Sequence, residues 1–262
     1  MSLFHLVAFQ AILKVALAGG FLFGAAGLLL RRWWRLSLVL AVAGSAVFIF
    51  GYAAFAQPSR LFGSILGRGE SANEVALTFD DGPDPRYTPA VLDLLKRWNA
   101  RATFFVLGKE VEAHSELARR IVAEGHALGS HGYSHTLLAF LSASRTWEEL
   151  ERADQAIQAA TGSRPKLLRP PYGFRNPWLP AQVKRLGYRM VGWSLSGRDS
   201  QHPTAAQIRR RIEGRLRPGD IVLLHDGRGN REQTVLALQE VLRFLERKGW
   251  RAVTVPELLA PG

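Results

Sequence analysis

Residues 36–56 (LSLVLAVAGSAVFIFGYAAFA) run for 21 positions without a charge. A helix of that length spans about 30 Å, the thickness of one bilayer hydrocarbon core. Such a stretch folds across a membrane or in the centre of a large protein, and little else suits it. A second uncharged segment, residues 15–30, precedes it. It reaches spanning length if it extends back toward Leu3, with Lys14 snorkelling or facing a neighbour. Between the two, Arg31-Arg32-Trp33-Trp34-Arg35 has the composition of an interfacial turn. The sequence thus predicts a two-span transmembrane hairpin over residues 1–56, an anchor with membrane lipid as its partner. The positive-inside rule puts the arginine-rich turn in the cytoplasm and everything after Ala56 outside it. Two other readings are a buried helical hairpin and a secretory signal cleaved after Ala54-Phe55-Ala56. The uncleaved anchor is preferred, because signals seldom carry a preceding apolar segment.

The net charge is +12, and residues 1–60 hold Lys14, Arg31, Arg32, Arg35 and Arg60 with no acid. A basic excess suits an anionic partner such as lipid head groups or a charged polymer. No basic run interleaved with aromatics occurs in residues 74–262, which argues against nucleic acid. The chain has no cysteine, so disulfides and thiolate metal sites are excluded. Any metal must be held by His, Asp or Glu.

Residues 57–73 are rich in Gly and Ser and read as a linker, leaving residues 74–262 as one catalytic domain. Apolar, branched or aromatic runs at 75–79, 102–107, 127–130, 167–169, 188–193, 221–224 and 252–255 read as buried strands. Amphipathic stretches at 88–99, 110–124, 145–160, 205–214 and 232–248 read as helices. Strands alternating with helices imply an α/β fold with a parallel sheet, and seven strands suggest a closed or nearly closed barrel. In such barrels the chemistry sits at the C-terminal strand ends. Polar and titratable residues do follow the expected strands: Asp80-Asp81, His131, Arg169, Asp199 and His225-Asp226.

The string TFDDGP places two acids at a strand end, and adjacent carboxylates on an extended chain point to opposite sides. One is then free for metal and the other for proton transfer. SHGYSH puts His131 and His135 four apart, on one face if a helical turn follows the strand. With Asp81 they form a two-imidazole, one-carboxylate set, the arrangement that leaves a zinc position open for catalysis. Bound there, a divalent cation polarises a carbonyl and lowers the pKa of water. The histidines His5, His114, His126 and His202 have no such context, and packing or exposure is expected for them.

TFDDGP, SHGYSH, RPPYG and LLHD, in this order, resemble the motifs of the polysaccharide deacetylase (NodB homology) family, the family-four carbohydrate esterases. The resemblance covers residues 74–255. It implies a distorted (β/α)7-type barrel, NodB-like, that removes acetyl groups from N-acetylated glycans with a divalent metal: Zn2+ first, with Co2+, Ni2+ or Mn2+ as alternatives. It assigns Asp81, His131 and His135 to the metal and Asp80 as catalytic base. It further implies that Arg169 positions Asp80, favouring the ionised carboxylate. Tyr172 would offer a backbone N–H to the oxyanion, His225 with partner Asp199 would act as acid, and Leu223 would line the acetyl pocket. The chain departs from the pattern at Ser196 and Ser200, where Asp and Trp are expected. Another aromatic then fills the acetyl pocket, or the acyl group or sugar differs. Rival readings are a non-catalytic carbohydrate-binding module on the same scaffold and a deformylase or deacetylase of a lipid-linked sugar. Nothing in the sequence sets the oligomeric state.

Overall fold

The structure is a computed structural model and describes residues 10, 12–14, 34–55 and 60–260. Helix α1, Trp34–Phe55, matches the second apolar segment and is the one helix among the described residues long and apolar enough to cross a membrane. Its Leu38, Val39, Val42, Val47 and Ile49 side chains are exposed. The first arm of the expected hairpin lies outside the described residues, apart from helical positions at 10 and 12–14.

After α1 the chain builds strands β1 (Glu74–Asp80), β2 (Thr103–Val106), β3 (Ala127–Ser130), β4 (Leu167–Leu168), β5 (Arg189–Met190), β6 (Leu195–Ser196), β7 (Ile221–His225) and β8 (Arg251–Val253). The helices between them are α2 (Thr88–Arg97), α3 (Gly108–Ala113), α4 (Ser115–Ala123), α5 (Ala143–Thr161), α6 (Leu179–Leu186), α7 (Ala205–Glu213), α8 (Glu232–Lys248) and α9 (Val255–Leu258). The strand pairings are all parallel, in the order β5-β4-β3-β2-β1-β7-β6.

Two features distort this α/β barrel. The stretch expected as one strand over 188–193 is split, and residues 195–196 form an additional strand. β5 pairs β4, Leu66 bridges Val191 in parallel, and β6 pairs β7. One continuous run of chain therefore closes the gap between β4 and β7. β8 pairs only the first half of β1, through Glu74, Val75 and Ala76, while β2 pairs its last residues. The helix expected over 110–124 also breaks, at His114 (φ −136°, ψ 50°), into α3 and α4. Residues 60–73 lie against the barrel, with Gly69 N–H donating to Gly219 O and Arg68 pairing with Asp220.

Strand parity separates core from site. On β1, Val75, Leu77 and Phe79 point outward into the layer under the helices, with Leu92, Phe104, Val222 and Leu224. Ala76 points inward, with Phe105, Trp193, Ile221, Leu223 and Val253. Because side chains alternate, Thr78 and Asp80 share the inward face of β1, and Leu223 and His225 share that of β7. Register pairs Asp80 with His225 across the two strands. The barrel interior is thus packed at the bottom and polar at the C-terminal end.

Phe79 is fully buried and stacks on Phe104 at 5.2 Å between centroids. Phe79→Ala should lower unfolding stability by about 3–5 kcal/mol, measured by denaturant titration of the full chain in detergent. A loss below about 1 kcal/mol would contradict this packing.

Candidate active site

Asp80 ends β1 and Asp81 follows it in the left-handed region (φ 78°). That turn overrides the expected alternation. Both carboxylates face one nitrogen, His131 Nε2, which lies 3.8 Å from Asp80 Oδ2 and 3.7 Å from Asp81 Oδ1. The two acids therefore share a pocket instead of pointing apart. Nor does a helical turn join the two histidines. A loop through Gly132 (φ 81°) folds His135 back, itself at φ 66°, until the rings are 5.1 Å apart. Non-glycine residues in this region cost about 1–2 kcal/mol each, held here by surrounding contacts.

Asp81, His131 and His135 each offer a donor atom, and these lie within 4.8 Å of one another. His131 Nδ1 is 2.6 Å from Arg169 O, a carbonyl that only accepts, so Nδ1 carries the proton and Nε2 keeps its lone pair toward the pocket. Burial drives the His131 pKa down to about 3 and that of His135 to about 2. The 3.1 Å contact between His135 Nε2 and Asp81 Oδ1 is thus not an ion pair. Asp81 Oδ1 and His135 Nδ1 are buried with no hydrogen bond, and burial raises Asp81 to about 6. Neutral imidazoles beside an unsatisfied carboxylate oxygen fit a divalent cation.

Arg169 follows β4 and is fully buried. Its guanidinium donates to Asp80 Oδ1 at 2.7 Å, Thr78 Oγ1 at 2.8 Å and Gly192 O at 2.6 Å, and lies over the Phe105 ring at 4.2 Å. Burial nevertheless outweighs the arginine, and the Asp80 carboxyl sits above its ordinary value. That makes it a stronger base than an exposed aspartate.

His225 Nδ1 meets Asp199 Oδ1 at 2.9 Å, and Asp199 Oδ2 accepts from His225 N–H at 2.8 Å and Thr234 Oγ1 at 3.0 Å. Burial alone would lower His225, but the Asp199 charge and hydrogen bond, with Asp81 and Asp80, push it up to about 9. Ser196 Oγ accepts from Arg198 N–H at 3.1 Å, shaping the turn that delivers Asp199. Ser200 is exposed, whereas Trp193 fills the interior beside Arg169. Leu223 is buried on the inward face of β7, two residues below His225. Tyr172, at φ 58°, sets its ring 4.6 Å from that of His135. The structure thus gathers every residue expected at the site around one end of the barrel. Of the other histidines, His126 is buried with Nδ1 accepting from Ala102 N–H, His114 caps helices, His202 is exposed, and His5 lies outside the described residues.

One contributor carries no sequence signal of its own. Glu149, on α5, accepts from Tyr133 N–H, Ser134 N–H and Ser134 Oγ, pinning the loop between the two histidines. In sequence it is one more acid on an amphipathic helix. Asp226 accepts from Thr88 Oγ1 at 2.6 Å, and burial raises it to about 7. A Cβ on Gly82 would sit 2.6 Å from its carboxylate oxygens, so a glycine is required there.

A family model described as Polysaccharide deacetylase matches residues 67–191. A peptidoglycan-N-acetylglucosamine deacetylase of Bacillus cereus is 40% identical over 187 residues, covering 71% of this chain and 87% of that one. A chitooligosaccharide deacetylase of Bradyrhizobium sp. is 36% identical over 211 residues, 76% of this chain and 94% of that one. Among solved structures, a peptidoglycan N-acetylglucosamine deacetylase bound to 4-naphthalen-1-yl-N-oxidanyl-benzamide aligns with TM-score 0.70 at 36% identity, over 74% of this chain and 92% of that one. A CE4 family pseudoenzyme from Bacillus anthracis also aligns with TM-score 0.70, at 26% identity, over 75% and 69%.

In the metal-free chain His225 should titrate near 9 by histidine NMR, and Asp199→Asn should bring it to or below the ordinary value near 6.5. A folded pKa above the unfolded one contributes stability fully below about 6.5, and this is lost as pH rises through about 9. Stability should fall across that window in the native chain and fall less steeply in Asp199→Asn. An unchanged His225 titration would contradict the pairing.

Proposed function

The chain belongs to the polysaccharide deacetylase family, and from that premise we propose that it hydrolyses acetyl groups from N-acetylated amino sugars of a cell-envelope glycan or peptidoglycan. In this reading residues 1–56 form a membrane anchor, residues 57–73 link it to the barrel, and the catalytic domain (74–262) lies outside the cytoplasm. The observation that carries the proposal is the grouping of Asp81, His131 and His135 beside the buried Asp80–Arg169 pair.

Asp81, His131 and His135 would hold the cation, with Zn2+ the best match to two imidazoles and a carboxylate, and Co2+, Ni2+ or Mn2+ compatible. Once bound, the ion supplies Lewis-acid polarisation of the acetyl carbonyl. Asp80 Oδ1 is occupied by Arg169, so Oδ2 takes the proton of the attacking water. The Tyr172 backbone N–H is assigned to the oxyanion. His225 Nδ1 is engaged by Asp199, so Nε2 donates the proton that turns the sugar nitrogen into a leaving amine. A histidine pushed to about 9 holds that proton at neutral pH. Leu223 and Trp193 offer the apolar wall for the acetyl methyl. The products balance as acetate and a free amino sugar.

A non-catalytic reading has a precedent in the aligned pseudoenzyme. The complete set of Asp80, Asp81, both histidines, Arg169 and the His225–Asp199 pair supports catalysis instead.

The purified chain should release acetate from N-acetylglucosamine oligomers or peptidoglycan fragments. Asp80→Asn should cut the rate about 10²–10⁴-fold, with metal content unchanged. Chelation should abolish activity and added metal restore it. No acetate from a broad panel of acylated sugars, with metal bound, would sink the proposal.

A further inference from the structure

The foot of α1 is built into the barrel. Ala54 C=O accepts from Arg175 N–H at 3.0 Å, and Ala54 is fully buried against Ala139 and Phe174, with Phe62 and Leu137 at the margin. Arg175 also donates to Gly63 O at 2.8 Å, and the Phe50 ring packs on Phe62 at 5.4 Å. Asn176 Nδ2 donates to Leu138 O and Thr146 Oγ1, so the 137–141 and 174–178 loops form one rim.

That rim lies at a defined depth. The last charge before the uncharged stretch is Arg35 and the first after it is Arg60. The 22 residues of α1 measure about 33 Å, against about 30 Å of hydrocarbon. A span of this length has none to spare, so its final turn, at Ala54, stands at the hydrocarbon boundary. The loops bonded to Ala54 then lie within the headgroup layer, about 5–8 Å thick on each side. Those loops expose Phe140 (73%) and Trp178 (48%), and Leu61, two residues before the Gly63 carbonyl that Arg175 holds, is 64% exposed. Trp178 is of the type enriched at membrane interfaces, and Phe140 and Leu61 add apolar area beside it. The site is close by, since Phe174 on the rim meets Tyr172 at 5.9 Å and Tyr172 meets His135 at 4.6 Å.

We propose that the rim bearing Leu61, Phe140 and Trp178 is seated in the lipid headgroup layer, so that the site works on amino-sugar glycans carried by membrane lipid. The inference rests on α1 being a membrane span and deepens the deacetylase reading. A domain on a free tether would sample glycans at many distances. A docked one holds its cleft where the saccharide of an amphiphile emerges, which raises that substrate's effective concentration.

The chain has no cysteine, so one introduced thiol is a unique probe site. The full chain carrying Phe140→Cys or, on α8, Arg247→Cys would be nitroxide-labelled and reconstituted in vesicles of zwitterionic and anionic phospholipid. The label at 140 should be reached by oxygen and shielded from a water-soluble nickel chelate, with the label at 247 fully aqueous. In the same vesicles, a lipid-linked N-acetylglucosamine oligosaccharide should be deacetylated about tenfold faster than the free oligosaccharide at equal bulk concentration. Phe140→Asp should remove that advantage and leave turnover of the free sugar unchanged. Equal nickel access at 140 and 247, or an unchanged lipid-linked advantage in Phe140→Asp, would overturn the docking. Absence of acetate from both sugars in the unsubstituted chain would instead overturn the deacetylase reading, and label depth would still decide the docking.

Discussion

A guanidinium cut off from water must find partners on every side, because an unpaired buried charge costs several kcal/mol. Arg169 meets that demand by joining parts of the barrel that are distant in sequence. It donates to Thr78 and Asp80 on β1, to Gly192 in the run between β5 and β6, and lies over Phe105 from β2. Its own carbonyl receives the His131 Nδ1 proton. One residue thus fixes the position of the aspartate assigned as base and the tautomer of a histidine assigned to metal. It does so only if β1, β4 and the split strand close around it, so the fold and the site constrain each other.

The environment divides labour among chemically similar groups. Burial leaves both pocket histidines neutral, and it raises Asp80 and Asp81. His225 is driven the other way, because the charge and hydrogen bond of Asp199, with the charges of Asp81 and Asp80, outweigh its burial. Three imidazoles in one cleft therefore present two lone-pair donors and one proton donor.

Much of this was legible in the sequence, for definable reasons. Alternating runs exposed the parallel barrel, and parity on β1 and β7 decides which residues face inward. The motif residues fall at strand ends, where barrel chemistry collects. Local backbone geometry was not legible. The left-handed turn at Asp81 depends on contacts from other elements, among them Gly227, where a Cβ would lie 2.3 Å from Asp81 O. The split at 191–194 likewise involves a partner distant in sequence, since Leu66 bridges Val191. Glu149 acts through its place against the histidine loop, which no local pattern encodes. The seating of α1 on Arg175 joins segments 121 residues apart, and hydropathy carries no trace of it.

The chemistry of this cleft depends on one cation seated among Asp81, His131 and His135. Calorimetric titration of Zn2+ into the metal-free chain tests this most directly. One ion per chain, with binding lost in Asp81→Ala and in His131→Ala and retained in His126→Ala, is the expected result. Binding that survives both of the first two substitutions, or none at millimolar zinc, would contradict it.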